Sequence, residues 1–232
     1  MKPIVLAITG ASGVVYGARL LERLLLARAH VQLTMSGTST QVISQELGRK
    51  VDLQNFDLKK LMISQESDLP SEDDDEESVL SSVIRNEPIG QFQYHHYLDY
   101  NAGMASGSFL TQGMVICPCS MSTLAAIANG LSANLIHRAA HVHLKERRKL
   151  IVVPRETPLS GIHLDNMKRL SDAGAVILPA MPGFYHRPKS ILDTVDFIVD
   201  RIFDQLEIPV PQSKRWGKTV PEAKPVTPPA EE

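Results

Sequence analysis

Residues 4–29 read IVLAITGASGVVYGARLLERLLLARA, and this stretch decides the fold of the 232-residue chain. Residues 4–9 form a short apolar run that ends in a glycine turn, which predicts a buried β-strand. Residues 14–29 predict a helix, because their leucines recur at the spacing of one helical face. A strand, a glycine turn and a helix in this order are typical of the start of a βαβ unit.

Outward from this stretch, short apolar runs continue to alternate with helical patterns. The other expected strands cover residues 31–35, 91–97, 114–117, 150–153 and 175–178. The other expected helices cover residues 39–47, 122–128, 134–148, 163–172 and 188–206. The alternation predicts an α/β protein with a Rossmann-like or flavodoxin-like three-layer fold and a mostly parallel sheet.

Residues 1–208 are expected to form a single domain that carries an insertion at about residues 64–88. Within residues 66–77, 8 of the 12 side chains are acidic, which indicates a solvated segment rather than a catalytic one. In residues 209–232 prolines recur and apolar side chains become scarce. We therefore expect a tail, or an arm that lies on a neighbouring subunit.

Composition excludes several classes of function. A formal net charge of -2 gives no whole-chain attraction to nucleic acid or to anionic lipid. No apolar run reaches the ~18 residues of a membrane span, and the N-terminus lacks the layout of a signal peptide. The cysteines, Cys117 and Cys119, are too close together for an ordinary disulfide and lack the spacing of a zinc motif. We expect a cytoplasmic protein without a metal site.

The segments that follow the strands are the candidate sites, because ligands of parallel sheets bind beyond the carboxyl ends of the strands. The turn formed by Gly10, Ala11 and Ser12 predicts a phosphate site, since small residues let an anion approach a helix N-terminus. An ordinary tight turn is the alternative, because the spacing is neither the dinucleotide fingerprint nor the P-loop. Ser36 follows the second strand and is either a cofactor contact or a helix N-cap.

A second helix N-terminus follows the strand at residues 114–117. It offers hydroxyls and free amides from Ser120, Met121, Ser122 and Thr123. Two such termini that converge could hold a flavin ring together with its phosphate. Ordinary helix capping by Ser120 or Ser122 would explain the same residues.

Charged and aromatic residues follow the last two strands. Arg155 can bind a phosphate through two nitrogens, and Glu156 beside it could exchange a proton with a leaving group. The alternative is a surface ion pair between them. Tyr185 could donate a hydrogen bond to a phosphate, or it could be a packed loop aromatic.

Two further features are open to two interpretations each. Arg138, His141 and Lys145 share one face of a helix, where they could bind a phosphate or be solvated. Residues 99–108 are rich in small side chains and include one aromatic residue, Tyr100. Such a loop could lie flat over a planar ring, or it could be a flexible connector.

Taken in order, these segments resemble the flavin prenyltransferases, the UbiX-like enzymes. The matching stretches include ITGASGVVYGARLLE at 8–22, MASGSF at 104–109, MVICPCSMSTLAAIANG at 114–130, the whole of 134–188, and KRWG at 214–217. Each motif is modest alone, but the ordered set covers nearly the whole chain except the acidic insertion and the tail.

The resemblance implies a homo-oligomeric flavoprotein, a dodecamer, that alkylates reduced FMN with dimethylallyl phosphate and needs no metal. A bond forms at flavin N5, and ring closure at C6 then gives prenylated FMN. That product serves UbiD-type decarboxylases, which connects the family to ubiquinone biosynthesis.

The resemblance also assigns roles to individual positions. The implied FMN contacts are Gly10, Ala11, Ser12, Ser36, Ser120, Met121, Ser122, Thr123 and Arg138. The implied prenyl-phosphate site consists of Lys145, Arg155, Glu156, Tyr185 and Arg201. The implied proton-handling and cation-stabilising groups are Ser12, Glu46, Glu156 and Tyr100. Tyr100 stands where relatives often carry tryptophan, so its stacking on the prenyl group is expected to be weaker.

Two rival functions share features with this interpretation. An FMN-dependent cysteine decarboxylase would have the same fold, but the PxMNxxMW segment typical of that group is absent. A non-catalytic flavin carrier would bind FMN without needing Arg155, Glu156 and Tyr185 near the ring.

Overall fold

The computed structural model describes residues 2–63 and 90–209, in which a six-stranded sheet lies between two layers of helices. The strands are β1 (Ile4–Ile8), β2 (Val31–Met35), β3 (Phe92–His96), β4 (Gly113–Cys119), β5 (Leu150–Pro154) and β6 (Val176–Ile177). Their order across the sheet is β3-β2-β1-β4-β5-β6, and all neighbours are parallel. The predicted three-layer α/β fold is confirmed, with the strand order of dinucleotide-binding domains.

Helices cover both faces of the sheet. They are α1 (Val14–Leu26), α2 (Ser39–Leu47), α3 (Met121–Ala128), α4 (Leu135–Lys145), α5 (Gly161–Asp172) and α6 (Ile191–Leu206). Helices α1, α2 and α6 pack on the face that carries Ile4, Leu6 and Ile8 of β1. Helices α3, α4 and α5 pack on the face that carries Val5 and Ala7. Every residue of β1 is therefore buried, which explains its unbroken apolar run.

Helices α1 and α6 lie side by side and run in the same direction. The Arg19 guanidinium binds the Asp196 carboxylate through two nitrogens, at 2.8 and 3.0 Å. One turn further along both helices, Arg23 pairs with Asp200 at 2.7 Å. This pairing places the start of α6 level with the start of α1, at the carboxyl edge of the sheet.

The strand order reverses between β1 and β4. At such a switch point the connections leave in opposite directions, so a crevice opens beyond the carboxyl ends of the two strands. The segments that follow β1 and β4 border this crevice, which agrees with the sites expected from the sequence.

Several predicted element ends differ from the structure, and three of them concern ends placed too early or too late along β4, α4 and α1. β4 does not stop before Pro118 but continues to Cys119, with an irregular register between Ile116 and Cys119. Helix α4 ends at Lys145 rather than at residue 148, because Arg147 adopts a left-handed conformation with φ of 54°. Helix α1 likewise ends at Leu26, two residues before the left-handed Arg28.

Several predictions lie outside the described residues, namely the acidic run at 66–77, nearly all of the tail and the KRWG motif. Within the described residues, no helix combines the length and the apolar character that crossing a membrane requires.

Candidate active site

Thr9 joins the ends of β1 and β4 at the switch point. Its hydroxyl donates to the Pro118 carbonyl at 2.9 Å and accepts from the Ser120 amide at 2.7 Å. The side chain is fully buried, so water does not compete for these bonds. They hold the turn after β1 beside the first residues of α3, so the two helix N-termini do converge.

An anion does lie at the N-terminus of α1, and it belongs to the chain itself. Both carboxylate oxygens of Glu46 accept from the Gly13 amide at 2.9 Å, and one also accepts from the Val14 amide at 2.9 Å. The negative charge is favourable there because of the helix dipole. A phosphate at this turn cannot use these two amides while Glu46 occupies them, so other donors of the turn, such as the hydroxyls of Ser12 and Ser36, would have to bind it.

The turn after β1 is packed directly against the start of α2. A Cβ added at Gly10 would lie 2.6 Å from the Cβ of Thr38, which explains the glycine. The Ser36 hydroxyl lies 3.1 Å from the Thr38 hydroxyl, and the Ser36 amide donates to the Ile8 carbonyl at 2.9 Å. The N-cap of α2 is Thr38. The interpretation of Ser36 as an N-cap is therefore wrong, and its hydroxyl faces the same corner as Gly10.

Helix α3 presents the second N-terminus. Ser120 is its N-cap, because its hydroxyl accepts from the Thr123 amide at 3.3 Å and donates to the Thr123 hydroxyl at 3.0 Å. The capping interpretation of Ser120 is confirmed. The amides of Met121 and Ser122 belong to the first turn, where a helix supplies no acceptor of its own. These donors favour an anionic or electron-rich group in the crevice.

Arg155 reaches from the end of β5 to the turn after β1. Its Nε donates to the Ser12 carbonyl at 3.1 Å. Among the described residues, no hydrogen bond engages its two terminal nitrogens, so they can bind a ligand. Glu156 is half-buried, and its carboxylate accepts from the Thr157 amide at 3.2 Å. Arg155 and Glu156 form no ion pair with each other in the described part of the chain, contrary to the surface-pair alternative.

Helix α4 runs from the carboxyl edge of the sheet to the opposite edge. It starts where the Leu135 amide donates to the Tyr97 carbonyl at 2.8 Å, just past β3. Arg138 lies one turn further on, and its Nε donates to the Ala105 carbonyl at 2.9 Å. Lys145 follows seven residues later, about 10 Å along the helix axis. It pairs with Glu146, close to the amino ends of β4 and β5.

Tyr185 lies in the loop before α6, and Arg201 lies on α6. The Tyr185 ring packs edge-on against Phe197, with centroids 5.6 Å apart, yet 55% of the residue is exposed. Arg201 lies one turn beyond Phe197 and pairs with Asp204 at 2.7 Å. It is ten residues from the start of α6, about 15 Å away from the carboxyl edge. Tyr185 is thus a packed aromatic with an exposed side.

The predicted site residues therefore form two groups in one chain. The strand-end group lies around the switch point and includes Ser12, Ser36, Glu46, Ser120, Arg155 and Glu156. The outer group lies on or beside α4 and α6 and consists of Lys145, Tyr185 and Arg201. Tyr100 follows β3, and its hydroxyl donates to the Ser132 carbonyl at 3.2 Å.

Two cysteines near the switch point are not suited to nucleophilic chemistry. Cys117 and Cys119 are fully buried, and burial raises the pKa of both thiols far above neutrality. They remain protonated thiols, and the thiolate is the reactive form. In the described residues, no group of three or more His, Cys, Asp or Glu side chains could hold a metal ion.

Thr9 is the functional residue that sequence reasoning missed. The apolar pattern places it at the end of the first strand and gives it no role of its own. A polar residue at the end of a fully apolar strand was the available signal, because most buried polar side chains have a hydrogen-bond partner.

Comparison with known proteins adds a family to this geometry. The model of the family described as Flavoprotein matches residues 1–206. A protein named flavin prenyltransferase UbiX, from Alkalihalophilus pseudofirmus, is 43% identical over 217 residues, which cover 94% of this chain and 97% of the relative.

Two solved structures are similar over most of the chain. AnUbiX (PadA1) in complex with FMN and dimethylallyl pyrophosphate superposes with a TM-score of 0.68 at 37% identity, covering 89% of this chain and 92% of that one. A dodecameric FMN-dependent UbiX-like decarboxylase from Escherichia coli O157:H7 gives a TM-score of 0.71 at 35% identity, with 92% and 98% covered.

Proposed function

This chain belongs to the UbiX-like flavin prenyltransferases of the Flavoprotein family, and from that premise we propose that it prenylates reduced FMN with dimethylallyl phosphate. The carbon–oxygen bond of the donor breaks, the five-carbon unit is joined to flavin N5, and the N5 proton leaves with the phosphate. Ring closure then joins the alkene to C6, and the proton lost from C6 balances the one that the alkene gains. The observation that carries the proposal is the hydrogen bond of Arg155 to the Ser12 carbonyl. This bond places Arg155, a cation suited to binding phosphate, beside the turn of Gly10, Ala11 and Ser12. The acid Glu156 is the next residue in the chain.

The strand-end group supplies what the flavin would need. Ser12, Ser36 and the first-turn amides of α3 offer hydrogen-bond donors around the crevice, and Gly10 keeps the turn free of side-chain bulk. When bound, reduced FMN supplies the electron-rich nitrogen and carbon that accept the prenyl group. The residues proposed to hold it are Gly10, Ala11, Ser12, Ser36, Ser120, Met121, Ser122, Thr123 and Arg138.

The charged residues supply what departure of the phosphate would need. A leaving phosphate carries negative charge, which preorganised cations stabilise as it develops. Arg155, Lys145 and Arg201 are the proposed cations, and Tyr185 is a proposed donor to the phosphate. Glu156 is proposed to transfer the proton to the leaving group. We infer that these groups suffice without a metal, so activity should persist in the presence of EDTA.

Lys145, Tyr185 and Arg201 are proposed to serve the strand-end group of a neighbouring copy. Lys145 and Arg201 lie toward the amino edge of the sheet in their own chain, whereas Arg155 lies at the carboxyl edge. A complete site then requires a homo-oligomer, and we propose a dodecamer like the Escherichia coli relative.

An anaerobic reaction tests the proposal directly. The protein is mixed with reduced FMN and dimethylallyl phosphate, and the mass of the released flavin is measured by mass spectrometry. A gain of one five-carbon unit is the expected result, and dimethylallyl diphosphate in a parallel reaction identifies the preferred donor. A flavin of unchanged mass with both donors would contradict the proposal and favour a cysteine decarboxylase or a flavin carrier.

The fate of the product is a separate proposal. We propose that prenylated FMN passes to a UbiD-type decarboxylase. Flavin released from the reaction should activate such an apo-decarboxylase, and unreacted FMN should not.

A further inference from the structure

The loop of residues 103–112 is anchored in the core by Met104, and arginine side chains also hold it by its backbone. Arg138 donates from Nε to the Ala105 carbonyl at 2.9 Å. Arg148 donates from Nη1 to the Phe109 carbonyl at 2.7 Å and from Nη2 to the Gly107 carbonyl. Three alternate carbonyls of the loop are therefore fixed by two guanidinium groups, which bind through planar, directional donors.

A buried pair fixes the end of the same loop. The Nδ1 atom of His143 donates to the Ala139 carbonyl at 2.7 Å, since a carbonyl can only accept. In the neutral ring Nε2 then accepts, and the Thr111 hydroxyl donates to it at 2.8 Å. The Arg148 amide in turn donates to the His143 carbonyl at 2.8 Å. The loop, the end of α4 and the turn after it thus form one connected unit.

This unit borders Lys145. A Cβ added at Gly107 would lie 3.0 Å from Nζ of Lys145 and 2.9 Å from Cδ of Glu146, so the loop backbone passes directly beside that ion pair. One of the two carbonyls that Arg148 holds belongs to Gly107 itself. Any movement of the loop at this point changes the space around the Lys145 ammonium.

We propose that Arg148 is a positioning residue for prenyl-phosphate binding, acting through the loop on Lys145. The inference rests on the proposed function, because it assumes that Lys145 binds the phosphate of the donor. The bonds from Arg138 and Arg148 fix the backbone at residues 105, 107 and 109. Arg148 needs no contact with the substrate, because its two bonds fix the backbone that borders the lysine.

The variant Arg148→Met removes both bonds, and Arg147→Met is the matched control. Arg147 is the adjacent residue and is exposed. Both variants replace an arginine by methionine, so both lose one positive charge. Loss of charged hydrogen bonds should raise the KM for dimethylallyl phosphate roughly tenfold in Arg148→Met. The donor phosphate is charged before the carbon–oxygen bond breaks as well as after, so Lys145 contributes both to substrate binding and to departure of the phosphate. The kcat should therefore also fall, by a smaller factor than KM rises. Arg147→Met should keep both parameters.

Hydrogen exchange of the loop amides supplies a readout that does not depend on turnover. Amides of residues 103–112 should exchange faster in Arg148→Met than in Arg147→Met. If Arg148→Met fails to fold, Arg148→Lys replaces it, because the lysine ammonium lacks the rigid planar pair of donors with which arginine holds both carbonyls. That variant should give an intermediate KM.

The outcomes separate the two proposals. A wild-type protein that does not prenylate FMN contradicts the proposed function. Hydrogen exchange of residues 103–112 then tests only whether Arg148 holds the loop, which we call the clamp. Equal loop exchange in Arg148→Met and Arg147→Met overturns the clamp, whether or not the protein is active. An unchanged KM in an active Arg148→Met variant overturns it as well.

Discussion

The strand-end group and the outer group differ in how the chain positions them. Ser12, Ser120 and Arg155 follow three neighbouring strands. The Thr9 hydroxyl binds the Pro118 carbonyl and the Ser120 amide, and Arg155 binds the Ser12 carbonyl, so these hydrogen bonds hold the three strand ends together. Lys145 and Arg201 lie on helices, about 10–15 Å from the carboxyl edge. The ends of the strands therefore bring most of the first group together within one chain, whereas we propose that the second group joins it through another copy of the chain.

The largest expected effect comes from removing the acid of the strand-end group. Glu156→Gln should lower turnover by roughly 10²–10⁴-fold, the range of general acid catalysis, because the amide cannot deliver a proton to phosphate. FMN affinity, measured by flavin fluorescence, should stay within about twofold, since binding does not require that proton transfer. Glu207→Gln, an exposed glutamate at the end of α6, is the control. Normal turnover in Glu156→Gln would remove Glu156 from the mechanism.

Mixed oligomers test whether the two groups come from different copies. Glu156→Gln and Arg201→Met should each be nearly inactive alone. If each site takes Glu156 from one copy and Arg201 from another, random co-assembly restores about a quarter of the sites, because closed oligomers repeat one interface. The measurement is prenyl transfer after co-expression of the two variants.

The control for this experiment pairs Glu156→Gln with a chain that carries both substitutions. That mixture contains no intact Glu156, so it should stay inactive. Absence of recovery in the test mixture would mean that one chain supplies both residues, and the comparison between the two groups would lose its basis.

The sequence predicted that Ser12, Ser120 and Arg155 lie at one edge of the sheet, because topology dictates their positions. Short apolar strands that alternate with helices predict a parallel sheet, and the ends of its strands meet at one edge. The occupant of the α1 N-terminus could not be predicted in this way, because Glu46 reaches it from another helix. The role of Arg201 could not be predicted from the helical pattern either. The 3.6-residue period tells which face of the helix carries Arg201, but not which other residues that face contacts.

A smaller effect should follow from removing the hydroxyl that joins β1 to β4. Thr9→Val keeps the shape but leaves the Ser120 amide without its partner, and the Pro118 carbonyl keeps only its bond from the Thr9 amide. Loss of these bonds should lower the free energy of unfolding by about 2 kcal/mol, measured by urea denaturation. FMN affinity should fall as well, because the two helix N-termini are held together less firmly.

Thr34→Val is the matched control for this prediction. Thr34 is fully buried on β2, and among the described residues its hydroxyl has no hydrogen-bond partner. The same substitution there should be neutral or stabilising. Equal destabilisation by both variants would mean that the Thr9 hydrogen bonds contribute nothing specific to the strand-end group.

The smallest expected effect concerns pH and the end of α4, which carries Lys145. Burial lowers the pKa of His143 to about 4, with the Ala139 carbonyl opposing the shift and Arg148 adding to it. Unfolded histidine titrates near 6.5, so the unfolded chain binds the extra proton first as pH falls. Stability is therefore full above pH 6.5 and declines below it, by about 1 kcal/mol between pH 7 and pH 5.5.

His143→Gln should flatten this decline, and urea unfolding at several pH values measures it. His141→Gln is the control, because it removes an imidazole from the same helix. Burial also lowers the pKa of His95 and His137, so part of the decline should remain in the variant. Hydrogen exchange at pH 5.5 should rise in residues 103–112, which Thr111 ties to His143, before it rises in the turn after β1. Equal loosening of both regions would mean that the outer group and the strand-end group respond to protonation as one unit.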